Sequence, residues 1–241
     1  MDYREYPPAP ALRPHVACYW TLAGPGGAPE RVLPDGRAEL VVHLADPFEN
    51  QARALFIGQQ REAVLLRPLG RVEVFGVRFH PAGAAAFFRF PQSELAGRIV
   101  PLADLGAKSW EAEMHDAPST TARRARTDAF LLRRLHPPAP TAGGSRRQRE
   151  REFLRTVGLP PKTWERIVRF QRALALRRAG MAWASVAVEA GYYDQAHLIG
   201  DCRRITGLAP LARETAETAM ERMLVANFQD TPPVAPVGSN A

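Results

Sequence analysis

The sequence predicts an α+β amino-terminal domain, a small β-rich and barrel-like sheet followed by helices, and then an all-α carboxy-terminal domain. Three observations carry this reading. A proline- and glycine-rich run, His136 to Ser145 (HPPAPTAGGS), has linker composition and divides the 241 residues. Runs rich in β-branched and aromatic residues stand before it, and helical apolar spacing fills the chain after it. The charge also changes at the divide: residues 1–136 hold 17 basic and 15 acidic side chains, whereas 145–213 hold 14 and 6.

Before the linker, Ala38 to Leu44 (AELVVHL) and Val72 to Phe79 (VEVFGVRF) read as strands, with Pro34-Asp35-Gly36 and Leu69-Gly70 as turns. Pro81 then opens a run of small and aromatic residues (AGAAAFFRF) that fits a buried helix with proline at its first position. Helical patterns continue over Ser93 to Gly97, Ser109 to His115 and Arg123 to Leu135. Strands first and helices after give the α+β class, and the domain is placed at 1–136 with the linker at 137–144.

After the linker, Ser145-Arg-Arg-Gln148 is a capping-box pattern at the start of a basic helix that ends at Gly158. Lys162 to Ala179 is the longest helix, with Trp164, Ile167, Phe170 and Leu174 on its apolar side and Gly180 as its stop. A short helix follows around Trp183 to Ala190, then a turn at Gly191 and a helix from the N-cap Asp194 to about Ile205. The domain runs to 213. Residues 214–241 form an extension, with amphipathic spacing over Glu214 to Leu224 and a proline-rich, disordered tail from Thr231.

No apolar run approaches the ~20 residues of a membrane span, and the amino terminus has no signal-peptide pattern. With only Cys18 and Cys202, neither a disulfide framework nor a cysteine-based zinc site is available, and a reducing cytoplasm is expected. The net charge of +7 resides in the second half and is almost all arginine, including Arg166, Arg169 and Arg172 at helical spacing. That stripe suits a polyanionic partner.

An internal repeat sharpens the inference. Shifted by 49 residues, Phe153 to Pro161 falls on Cys202 to Pro210, with Arg155 on Arg204, Gly158 on Gly207, Leu159 on Leu208 and Pro161 on Pro210. Ser145 and Asp194 stand as helix caps in the two copies. In the second copy, Val186, Ala187 and Ala190 give a small apolar face, Gly191 a tight turn and Asp194 a second helix, which is a helix-turn-helix. Two such units joined by the helix from Lys162 suit successive major grooves, roughly 34 Å apart. In the first copy, Pro137, Pro138 and Pro140 fall where the second has helix, so the first motif reads as truncated.

Gly191-Tyr-Tyr-Asp-Gln-Ala-His-Leu198 with Arg203-Arg-Ile-Thr-Gly-Leu-Ala-Pro210 resembles the second helix-turn-helix signature of AraC/XylS-type transcription regulators. Ser145 to Pro161, followed by Val168-Arg-Phe-Gln-Arg-Ala-Leu174, is similar to the end of that family's first motif and its linking helix. Leu33-Pro-Asp-Gly36, Glu39-Leu40 and Gly76 to Phe87 resemble a β-rich, sensor-like domain found ahead of this module in one bacterial subgroup. The resemblance spans about residues 3–213. It implies a sequence-specific regulator with double-stranded DNA as partner. It leaves RNA polymerase, a small-molecule effector and a homodimer as further partners.

Matching positions give Arg147, Glu150 and Arg151 in the first unit and Gln195, Ala196, Ile199 and Gly200 in the second as base-reading candidates. Gln195 and Arg151 lead, for adenine and guanine, and Ile199 suits a thymine methyl. Arg146, His197, Arg203 and Arg204 are the phosphate candidates. The chain departs from the family pattern at Arg149, Gly200, Cys202 and Ile205. Gly200 costs about 1 kcal/mol of helix stability relative to alanine and withdraws a reader.

Two other classes stay open. His43 and His80, with Glu39 on the same strand face as His43, suggest a metal-dependent small-molecule enzyme, although no paired-histidine helix, nucleophile elbow, phosphate loop or CxxC is present. A ligand- or protein-binding relic with a decayed DNA reader is the other. Tyr19, Trp20, Phe75 and Phe79 are candidates for an effector cavity or for packed core. No metal, cofactor or catalytic residue is assigned.

Overall fold

The computed structural model describes residues 1–27, 29–46, 48, 51–136 and 144–208. The linker expected at 137–144 lies, but for Gly144, outside the described residues, as do Pro210 and the whole extension and tail from 214. The strands are β1 (Asp2–Tyr6), β2 (Val16–Gly24), β3 (Glu30–Val32), β4 (Glu39–His43), β5 (Ala54–Ile57), β6 (Val64–Leu66), β7 (Val72–Phe79) and β8 (Ile99–Pro101). The helices are α1 (Lys108–His115), α2 (Thr120–Arg134), α3 (Arg146–Val157), α4 (Pro161–Arg178), α5 (Trp183–Glu189) and α6 (Gln195–Thr206). The amino-terminal sheet followed by helices and the helical carboxy-terminal region agree with the expected fold class.

The chain forms two compact units whose cuts do not coincide with the linker. One comprises Met1–Pro29, Arg37–Gln60 and Arg67–Pro161; the other comprises Glu30–Gly36, Arg61–Leu66 and the described residues from Lys162 on. The helix α3 therefore belongs with the sheet, as α1 and α2 do, and the small β3–β6 pair belongs with α4, α5 and α6.

In the first unit six strands pair antiparallel in the order β1-β2-β7-β4-β5-β8, with β1 and β8 as the edges of an open sheet. Alternation along each strand sorts side chains between its faces. Leu40, Val42, Phe56, Phe75, Val77 and Phe79 enter the main core with Trp110, Met114, Phe130 and Leu131 of α1 and α2. Cys18, Trp20, Val41, Val72 and Val74 form a second apolar cluster. A bulge between Val16 and Cys18 keeps Val16 and Tyr19 together in the main core despite their odd spacing. Strands with apolar side chains on both faces explain why β7 reads as a nearly unbroken hydrophobic run.

The run after Pro81, expected as a buried helix, is a single 3-10 turn at Gly83–Ala86. Phe87 and Phe88 follow it into the core, and the run stops at Pro91, a residue that disfavours helix in the position before it. The expected helix at Ser93 to Gly97 is likewise a 3-10 turn, Gln92–Glu94. Helix α2 starts three residues earlier than Arg123 because Ser119 caps it, its Oγ accepting from Ala122 N at 3.2 Å.

Asp128 on α2 binds two elements of the unit: the Tyr19 hydroxyl donates to its Oδ1 at 2.6 Å and Ala9 N donates to the same oxygen at 3.0 Å. Burial and this carboxylate raise the Tyr19 pKa strongly, so the phenol stays a donor. Asp128→Ala leaves both donors without their acceptor. A loss of about 1–3 kcal/mol in chemical denaturation is expected, against a much smaller change for Asp128→Asn, which keeps an acceptor oxygen.

Candidate nucleic-acid interface

The second helix-turn-helix forms as its sequence predicts. Asp194 caps α6, its Oδ1 accepting from His197 N at 2.7 Å. Gly191, at φ +86°, makes the turn between α5 and α6 in a conformation that a side chain would strain. Val186, Ala187, Ala190, Tyr192, Leu198, Cys202 and Ile205 form one core with Phe170, Ala173 and Leu174 of α4. This core fixes which side of α6 is left for other contacts. Ala196, Gly200, Arg203 and Arg204 are exposed, and Ala196, Gly200 and Arg203 follow one another at helical spacings of four and three.

The other candidates on α6 divide. Gln195 is half-buried, and Ile199 is half-buried against the core, which leaves only part of its side chain for a thymine methyl. His197 is exposed but held in place: its ring stands edge-on to Tyr192 at 5.1 Å between centroids, and Nδ1 lies 3.4 Å from Tyr193 N. Tyr193, beside the N-cap, is 90% exposed and was not singled out in the sequence. Its signal was a second aromatic residue, two positions after the turn glycine and outside the apolar spacing of α6.

Asp201 was missed too, and it organises the motif. It sits among the buried positions of α6, its side chain 4% exposed, and pairs with Arg166 Nε at 3.4 Å, Arg169 Nη2 at 3.3 Å and Arg204 Nη1 at 3.8 Å. Arg169 also lies 4.7 Å over the Tyr192 ring, so one α4 side chain touches both the turn and α6. The expected stripe of Arg166, Arg169 and Arg172 is corrected accordingly. Arg166 and Arg169 point to a buried carboxylate, and Arg172 alone of the three is exposed. An acidic residue within the apolar register of Leu198, Cys202 and Ile205 was the available sign.

Helix α3 lies in the other unit. Its capping box is complete: Ser145 Oγ accepts from Gln148 N at 3.3 Å, and Gln148 Oε1 accepts from Ser145 N at 2.6 Å. Residues 145–152 are all exposed, and burial begins at Phe153. At the C-terminal end the helix packs on the 3-10 turns at Gly83–Ala86 and Gln92–Glu94. Gly158, at φ +95°, comes so close to Gln92 O that a Cβ would stand 2.9 Å from it. Glu150 accepts from Arg146 Nε at 3.0 Å, whereas Arg147 and Arg151 are exposed and make no ion pair within the described residues. The positions of a supporting helix for this first motif, 137–143, lie outside the described residues.

The aromatic candidates for an effector cavity do not form one group. Tyr19, Phe75 and Phe79 are fully buried in the main core, while Trp20 belongs to the second cluster, stacked on Tyr3 at 6.1 Å. Glu39, His43 and His80 are also separate. Glu39 Oε1 accepts from Arg78 Nε at 2.7 Å. His43 pairs in register with Val74, six residues from His80 along the β7 direction, which is ~20 Å. Burial lowers the pKa of both histidines. Among the described residues no three His, Cys, Asp or Glu side chains gather as a metal site.

Both thiols are packed: burial raises Cys18 and Cys202 to about 12. A thiol above its usual pKa is neutral at pH 8, so the folded protein should resist alkylation by iodoacetamide at that pH, while the denatured chain takes two labels. Rapid labelling of either cysteine in the native protein would show that its site is open. For the ion cluster, Asp201→Ala should lower the stability of the helical unit by about 2–4 kcal/mol, read from its unfolding transition, because it strands the guanidinium groups beside the core.

Comparison with known proteins finds two family models in the chain. Residues 139–213 match the family model described as a helix-turn-helix domain, of the AraC type, and residues 4–101 match a domain of unknown function, DUF6597. Two solved structures of ToxT from Vibrio cholerae are similar to the chain. One is 7% identical, covers 80% of this chain and 96% of its own, and has a TM-score of 0.39. The other is 8% identical, covers 80% and 95%, and has a TM-score of 0.37. No curated protein matches. No described helix is long and apolar enough to cross a membrane.

Proposed function

The chain carries an AraC-type helix-turn-helix domain, the reading module of a DNA-binding transcription regulator, and we propose that it recognises a specific duplex by laying the exposed side of α6 in the major groove. The observation that carries this reading is the contrast between the two sides of α6: one is locked in the core through Leu198, Asp201, Cys202 and Ile205, and the other presents Ala196, Gly200 and Arg203 to solvent. With little side-chain bulk at Ala196 and Gly200, the helix backbone can approach base edges closely.

In this reading Gln195 at the first turn meets an adenine edge, and Ile199 contributes its exposed part to a thymine methyl. Arg203, Arg204 and His197 lie against phosphates, where contacts set the register of docking. On α3, Arg147 and Arg151 are the unengaged cations that suit guanine. Arg146 and Glu150 exchange their exposed mutual ion pair, worth at most ~1 kcal/mol, for DNA contacts. The sheet unit is assigned control, through a small molecule or through association with a second copy or RNA polymerase. Catalysis forms no part of the proposal, and a cytoplasmic location accompanies it. The apolar residues first considered for an effector cavity are core, so they are not offered as its lining.

The test is selection of bound sequences from a random duplex pool with the full chain, followed by titration of the selected duplex at several salt concentrations. A reproducible motif and a log-log salt slope of roughly −0.9 per neutralised phosphate are expected. Gln195→Ala and Arg151→Ala should each cost about 1–3 kcal/mol on the selected duplex and relax preference at one base position. Enrichment of no motif, or full retention of preference in the double variant, would overturn the assignment.

A further inference from the structure

Two carbonyls at the C-terminal end of α6 are held by residues from the amino-terminal half of the sequence. The carbonyls in the last turn of a helix lack intrahelical partners and need outside donors. At the end of α6, Thr206 O accepts from Arg31 Nη1 at 2.7 Å, and Ile205 O accepts from Ala63 N at 2.7 Å. Arg31 belongs to β3, and Ala63 directly precedes β6; the two strands pair antiparallel with Arg31 opposite Leu65. The guanidinium also places a positive charge at the negative end of the helix.

The same chain segment reaches α4. Leu33 packs against the helix-turn-helix core, Pro34 O accepts from Gln171 Nε2 at 2.8 Å, and Gly36 O accepts from Trp164 Nε1 at 3.1 Å. The β3–β6 pair thus holds the two helices that Asp201 ties together. Its strands are not free arms. In the sequence β3 stands between β2 and β4, and β6 between β5 and β7, so each is joined at both ends to strands of the six-stranded sheet.

We propose that the β3–β6 strand pair is a third element of the DNA reader, with Arg31 as the positioning residue that sets the C-terminal end of α6 and through which the sheet unit acts on base readout. The proposal rests on α6 being the reading helix. It assigns part of the reader to sequence that lies outside the helix-turn-helix match at 139–213. It also gives a route for control that needs no separate linker: a change that displaces β4 or β7 is transmitted through the covalent continuation of those strands to the carbonyls of Ile205 and Thr206.

The full chain, Arg31→Ala and Arg31→Lys are compared in two measurements. The first is amide hydrogen exchange over residues 203–208 without DNA. The second is affinity for the selected duplex and for a scrambled duplex across a salt series. Loss of a charged hydrogen bond predicts that Arg31→Ala speeds exchange in this turn and weakens the selected duplex roughly five- to tenfold. The scrambled duplex should change less than twofold with an unaltered salt slope. Arg31→Lys, which keeps a cationic donor, should recover most of both effects. Unchanged exchange in Arg31→Ala overturns the clamp. An equal loss on both duplexes with a salt slope shallower by about one also overturns it, since Arg31 would then be a phosphate contact. If the unaltered chain prefers no duplex, the DNA reading itself fails, and the exchange arm alone decides whether the β3–β6 pair holds α6.

Discussion

The helical unit depends on the buried carboxylate of Asp201. Removing a charge from water is costly unless it is paired, and here the pairing comes from three arginines on two helices. Two of them, Arg166 and Arg169, stand one helical turn apart on α4, so their common partner fixes both the rotation of α6 about its axis and its place along α4. Arg169 extends the constraint to the turn by covering Tyr192. Apolar packing alone would hold α6 in place while tolerating small rotations. A three-way ion cluster is directional, and a reading helix needs its outward side set to within a fraction of a residue spacing.

That constraint has a consequence for the charge distribution. A sequence rich in arginine suggests many phosphate contacts, yet two of the arginines at helical spacing are committed to an internal partner. The cations left at α6 are Arg203 and Arg204, of which Arg204 is the most distant of the Asp201 partners and 61% exposed. The positive field that attracts a polyanion is therefore partly a by-product of residues that hold the motif together, and net charge overstates the number of contacts available for binding.

Elements with local signals were legible in the sequence. Asp194, Ser145, Gly158 and Gly191 mark helix ends through backbone chemistry confined to a few residues, and the structure has caps and turns at each. Strands β4 and β7 were legible because their alternation and composition are strong. By contrast, β1 (DYREY) is a polar edge, and β3 and β6 have three residues each; they form because of partners far away in sequence. The exposed side of α6 was legible only in part: of the positions matched to the family pattern, Ala196 and Gly200 are exposed, whereas Gln195 and Ile199 are half-buried. The inward turn of Arg166 and Arg169 was not legible, since spacing places residues on a common side of a helix without saying which neighbour that side meets. The grip of Arg31 on Thr206 O spans 175 residues and had no local sign at all.

The internal repeat shows how far a duplicated local pattern determines structure. Under the 49-residue shift Glu152 falls on Asp201 and Arg155 on Arg204, so each copy carries an acid and an arginine three residues apart. In α3 the pair is on the surface: Arg155 Nη2 lies 2.6 Å from Glu152 Oε1, with the two side chains 44% and 50% exposed, and the arginine lowers the carboxylate pKa. In α6 the acid is buried and recruits two further arginines from α4. The ends of the helices differ in the same way, Gly158 being pressed on Gln92 O and the α6 carbonyls being held by Arg31 and Ala63. Identical spacing thus yields a solvated ion pair worth little in one copy and a structural anchor in the other. The same conservative exchange, acid to amide, should therefore be almost silent at position 152 and disruptive at 201. The difference arises from what packs on each helix, since the local sequence is shared.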